Sequence, residues 1–202
     1  MPRIFDVILG RTKPVQADLD ALFGLVGAQI TLQVSEALVP SGEAGVCFKP
    51  VAGRSFAETA SEANELLSVG NGGGPAAPIQ QEDDKYGFHW IVQSNDDFQE
   101  LVNQVHLVNS TLQDNGYGPQ LLCTVVGFRP DPNTAASTSV PAQAHLVYLY
   151  KRGAFYPFVP LGSDGERRDV ETELRLANVL GNDVKIEPDK ERWMPLWGLP
   201  VR

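Results

Sequence analysis

The stretch AHLVYLYKRGAFYPFV, residues 144–159, consists of two runs rich in apolar, β-branched and aromatic residues on either side of Lys151-Arg152-Gly153. Polar residues ending in glycine between two such runs read as a tight turn. The spacing therefore predicts a hairpin, with one strand over Ala144 to Tyr150 and a second over Phe155 to Val159. Upstream, Leu121 to Phe128 is a nearly continuous apolar run of strand length, the pattern of a strand buried on both faces. The three runs together predict an antiparallel meander. The segment between them, Arg129 to Gln143, is rich in Pro, Ser, Thr, Ala and Asn and reads as an exposed loop.

Helical signals flank this meander. Asp97 with Glu100 supplies a cap, and Phe98, Leu101, Val105, Val108 and Leu112 form an apolar stripe stopped by Gly116. Asp169 caps a second long helix, with Val170, Leu174, Ala177 and Leu180 expected to face inward. Ser55 and Glu58 form a capping box for a third, running to about Ser68. A short helix is expected at Asp18 to Leu25, with Leu19, Leu22 and Phe23 inward. The alternation of Ile30, Leu32 and Val34, followed by Pro40-Ser41-Gly42 and then Val46 and Phe48, predicts a pair of strands. Residues 70–85, glycine-rich and then acidic at Glu82-Asp83-Asp84, read as a flexible loop before a strand over Tyr86 to Gln93. Residues 1–12 form an amphipathic segment with Ile4, Phe5, Ile8 and Leu9 on one side. The tail Trp193-Met194-Pro195-Leu196-Trp197 is apolar but broken by proline, so irregular chain docked across the body is expected. Strands in hairpin order mixed with helices predict a single α+β domain over 1–202, a largely antiparallel sheet packed by about three long helices.

Composition narrows the function classes. Of 202 residues, 43% are hydrophobic and 20% charged, with 16 basic against 25 acidic side chains and a net charge of -9. A chain this acidic repels phosphate backbones, so no nucleic-acid partner is expected. The longest apolar stretch is far short of the roughly 18 residues that would signal a membrane span. The N-terminus lacks the pattern of a secretory signal, so a cytoplasmic location is expected. Cys47 and Cys123 each stand in an apolar stretch without a second ligand at metal spacing, and read as small buried hydrophobes. His89, His106 and His145 fall on separate elements, so no metal and no cofactor is expected. The glycine cluster at 70–74 follows a helix and lacks the lysine of a phosphate loop. No nucleophile motif is present.

The density of Tyr148, Tyr150, Phe155, Tyr156 and Phe158 around Lys151 and Arg152 points to a protein-contact surface, because aromatic and arginine residues are enriched in interfaces. Tyr148, Lys151, Arg152, Phe155, Tyr156, Trp193 and Trp197 are the expected contact residues. Ile4, Phe5, Ile8 and Leu9 are the expected membrane or partner contact, with weak peripheral binding at the inner face of the membrane as their lipid option. The rival reading is a small-molecule or enzymatic domain with a pocket near His89, Tyr148, Tyr156 and Trp193.

Several stretches together resemble one family, the PspA-associated protein PspAB. They are Leu22-Phe23; Val46-Cys47-Phe48-Lys49 with Phe56-Ala57-Glu58-Thr59; Tyr86-Gly87-Phe88-His89-Trp90; residues 115–123, NGYGPQLLC; residues 146–158 of the hairpin; and Arg192-Trp193-Met194-Pro195-Leu196-Trp197. The resemblance spans nearly the whole chain. It implies an accessory of a phage-shock type envelope-stress system, a non-enzymatic adaptor whose partner is PspA, a coiled-coil protein that protects stressed membranes. It supplies no catalytic residue.

Overall fold

The hairpin at residues 144–159 forms the last two strands of a six-stranded antiparallel sheet in a computed structural model, which describes residues 18–49, 58, 61, 65, 80–134, 140–162 and 166–202. The strands are β1 (Leu38–Phe48), β2 (Gln80–Asp83), β3 (His89–Ser94), β4 (Leu121–Pro130), β5 (Ala144–Leu149) and β6 (Ala154–Phe158), in the spatial order β2-β3-β1-β4-β5-β6. As its apolar run predicts, β4 is central and buried along most of its length. Pro157 stands in β6, the last strand of the order. Phe155 sends its N–H outward to Lys185 O, and backbone groups alternate sides along a strand. The donor that Pro157 lacks is therefore one that would have faced away from β5.

Three helices of eleven residues or more are described: α1 (Gly24–Glu36), α2 (Phe98–Leu112) and α3 (Val170–Leu180). A 3-10 turn over Leu19–Phe23 leads into α1. The caps are those expected: Asp97 accepts from Glu100 N at 3.1 Å and Asp169 accepts from Thr172 N at 3.0 Å. Gly116, at φ 86°, ends the helical run that begins with α2.

Four readings are corrected. Residues 30–34 are helical rather than a strand, because Leu25, Ala28 and Leu32 bury at a helical period and no glycine or proline falls between Gly27 and Ala37. Strand β1 therefore pairs with β3 and β4. Phe23 is 43% exposed rather than inward. On α3 the inward face is Thr172, Glu173, Leu176 and Leu180. Glu173 is drawn into the interior by Arg168, which turns Val170 and Leu174 outward. The acidic run is not loop throughout, since Gln80–Asp83 is β2, paired along β3. The readings at 1–12 and 70–79 lie outside the described residues. So does most of the 55–68 helix, of which Glu58, Ser61 and Glu65 are described as helical and exposed.

The sheet buries both faces. One packs Ile91, Val126, Leu146 and Tyr148 against the inner sides of α1, α2 and α3. Inside that core Asn109 of α2 donates to Val105 O at 2.9 Å and to Thr124 Oγ1 at 3.1 Å, and the Tyr150 hydroxyl donates to Asn109 Oδ1. The other face holds Trp90, Val125, Val147, Tyr156 and Phe158 under the irregular segment 193–202. Two glycines make room for that segment. A Cβ on Gly127 would lie 2.1 Å from Arg202 O, and one on Gly45 would lie 2.7 Å from Val201 Cγ2.

Candidate functional site

The period of two along a strand decides where the hairpin's rings go. Tyr148 and Phe155 stand opposite one another in the register and face the helices, with ring centroids 4.8 Å apart. Val147 and Tyr156 are the next pair and face the tail. Tyr148, Phe155 and Tyr156 are all buried, and Trp193 is buried with its ring stacked on Tyr156 at 6.2 Å. These four are core residues, which corrects the expectation of an exposed aromatic surface at the hairpin. A strand pair covered on both faces spends its rings on both cores. Their polar ends are also satisfied: Tyr148 donates to Asp18 O, Tyr156 to Met194 O at 2.7 Å, and Trp193 Nε1 to Glu187 O at 2.9 Å.

Lys151 and Arg152 are exposed in the turn, and Trp197 is half-buried in the tail. Arg152 also holds Glu187 with two bonds, Nε to Oε2 at 2.7 Å and Nη2 to Oε1 at 3.3 Å. Those bonds hold the Glu187 carboxyl below its ordinary pKa against the opposing effect of burial. The turn lies beside the start of the first helical segment. A Cβ on Gly153 would be 4.0 Å from Asp18 Cβ.

The rival pocket does not assemble from its four expected residues. Tyr148 faces the helices, and His89 pairs with Asp83 at the sheet edge and lies 5.5 Å from the Phe48 ring. A cavity of about 300 Å³ does open on the tail side of the sheet, and of those four residues Tyr156 lines it, as does Trp197. Its other walls include Cys47, Trp90, Leu122, Cys123, Leu149 and Leu196, and exposed Tyr86, Phe88 and Met194 flank it. Asp84, the carboxylate at its side, is bonded to Trp90 Nε1 at 3.0 Å and to the backbone N–H groups of Tyr86 and Phe88. A second, more polar cavity of about 560 Å³ is lined by Lys85, His145, Phe158, Glu166 and Trp197. Burial pushes the His145 pKa down to about 4, so its ring is neutral at pH 7. Among the described residues no group of three or more His, Cys, Asp or Glu is arranged to hold a metal ion.

Sequence reading missed a surface on α1. Ile30 is 60% and Val34 82% exposed, and Phe23 precedes them at the spacing i, i+7, i+11, which sets all three along one side of the helical segment. Phe23 stacks on His106 at 4.8 Å, so the stripe is anchored at its N-terminal end. Assigned as strand residues, Ile30 and Val34 pointed toward a sheet core, and that assignment hid the stripe. Helix α3 lies antiparallel beside α1: Arg175 Nε bonds Glu36 at 2.9 Å, while Gly24 sits against Val184.

These features define an α+β protein: one antiparallel sheet with helices on one face, an irregular strap on the other, and an apolar helix stripe left in water. A model of the family PspA associated protein B matches residues 2–201, and the chain belongs to that family. No curated protein and no solved structure gives a match. Among the described residues no helix is long and apolar enough to cross a membrane.

Proposed function

We propose that the chain is a non-enzymatic adaptor of a membrane-stress response that binds a PspA-type helical protein in the cytoplasm through the exposed stripe of α1. The family name supports the partner, and the exposure of Ile30 and Val34 on a regular helix carries the choice of surface. Apolar side chains at helical spacing match what a second helix offers in ridge-and-groove packing. The stripe supplies area, and Lys151 and Arg152, exposed in the turn whose Gly153 lies beside Asp18 at the head of the same segment, supply positive charge that orients an acidic partner surface. The hairpin thus enters the contact through its turn, and its rings hold that turn in position. Peripheral lipid contact by Ile4, Phe5, Ile8 and Leu9 remains part of the proposal as the membrane-side element.

The experiment is titration calorimetry of the full chain against the PspA-type protein of the same genome. The Ile30→Asp/Val34→Asp double variant should weaken binding at least about tenfold, the loss expected when charge enters a desolvated contact. Wild-type affinity in the double variant would exclude this surface. The 300 Å³ cavity favours a second reading, an apolar small ligand, because its walls are mostly hydrophobic and its carboxylate is engaged in structural bonds.

A further inference from the structure

We propose that Cys47 and Cys123 form an oxidation site, closed to an intramolecular disulfide by an organic hydroperoxide that enters the tail-side cavity. They are the chain's two cysteines, and they stand directly opposite one another on the neighbouring antiparallel strands β1 and β4. Opposed antiparallel residues have Cα atoms about 4.5–5.5 Å apart, inside the range of about 4.4–6.8 Å that a disulfide spans. Both side chains belong to the tail-facing core, so both sulfurs lie on one side of the sheet. Both also line the cavity of about 300 Å³, beside Trp90, Tyr156, Leu122 and Leu149. Both residues are otherwise buried, at 3% and 5% exposure.

The wall chemistry selects the reagent. An apolar cavity favours an uncharged molecule with a hydrocarbon body over small, strongly hydrated hydrogen peroxide. One cysteine sulfur attacks the distal peroxide oxygen, and the O–O bond breaks. The alcohol leaves with the thiol proton, and the sulfur is left as a sulfenic acid. The second thiol displaces its hydroxyl as water. Two thiols and one hydroperoxide thus give one disulfide, one alcohol and one water, with the peroxide as the two-electron oxidant. The hydrogen bond with the Cys123 thiol, followed by burial, holds the Cys47 pKa above its ordinary value, so the thiol is protonated at neutral pH and its attack on the peroxide speeds up as the pH rises.

The test uses the full chain, reduced, desalted and exposed to cumene hydroperoxide or to hydrogen peroxide at equal concentration, then acid-quenched for mass analysis. The expected result is a Cys47–Cys123 cross-linked peptide, reversed by dithiothreitol, that forms several-fold faster with cumene hydroperoxide and faster at pH 9 than at pH 7. In urea the preference for the organic reagent should vanish. A link that forms only after unfolding, equal rates with the two peroxides on the native chain, or oxidation to sulfinic acid without a link would each overturn the proposal. Leu149→Trp, which narrows the cavity, should slow the organic reagent more than hydrogen peroxide, and its thermal transition reports whether it is folded.

Discussion

Tyr150 ties the two halves of the helix-side core together through one hydroxyl. It donates to Asn109 and contacts Thr124, while Asn109 also bonds Val105 O and Thr124, and the two side-chain partners are fully buried. Removing the hydroxyl leaves Asn109 Oδ1 without its donor in a dry site. Tyr150→Phe should therefore cost about 1–3 kcal/mol, measured by urea unfolding. Glu187 and Glu173 are buried acids with opposite pH behaviour. Arg152 lowers the Glu187 pKa below 4.5, so its contribution is present above pH 4.5 and is lost as pH falls through the depressed folded value. Burial raises the Glu173 pKa above 4.5, so its contribution is greatest below that pH and is lost as pH rises through the folded value. Glu187→Gln should lower the melting temperature at pH 7, and the gap from wild type should close as the pH drops below 4.5. A gap that persists at acid pH would show that the carboxylate charge is not what matters there.

At the scale of elements, the strap 193–202 depends on two glycines beneath it. Gly127→Ala places a methyl group 2.1 Å from Arg202 O and 2.4 Å from Ser41 Oγ, closer than any real contact. The far end of the strap should lift, shifting the Trp197 fluorescence and speeding proteolysis between 193 and 202, while the helix-side core keeps its circular dichroism. Unchanged fluorescence and cleavage would contradict the packing. The α1 stripe behaves differently. Ile30→Asp/Val34→Asp changes solvent-facing residues and should alter stability by less than about 0.5 kcal/mol each. How far these elements can be read from sequence follows from the same physics. The meander, the caps of α2 and α3 and the irregular strap carry local signals: an apolar run, an aspartate before a periodic stripe, a proline. Residues 30–34 do not, because three alternating apolar residues satisfy a strand pattern over five positions, and only the longer Leu25, Ala28 and Leu32 repeat shows the helix. The inward face of α3 was equally hidden, since a buried Glu173 paired to Arg168 leaves no hydrophobic mark in the sequence.

For the whole molecule, the contact surface expected from sequence and the one proposed from the structure share the hairpin but differ in what it presents. Burial of Tyr148, Phe155 and Tyr156 follows from a sheet covered on both faces, and that cover includes a tail which composition alone does not position. The turn at Lys151 and Arg152 and the α1 stripe are both exposed, as the proposed contact requires. Arg152 is half committed to Glu187, so Lys151→Glu is the cleaner probe of charge. It should weaken association more at low than at high salt, because exposed charges act over about a Debye length. The most direct test of the account is size-exclusion light scattering of the PspA-type protein of the same genome with the full chain, wild type or the Ile30→Asp/Val34→Asp variant. The account predicts a complex with the wild-type chain that the folded double variant fails to form. A complex of equal mass and stability with both chains would contradict it.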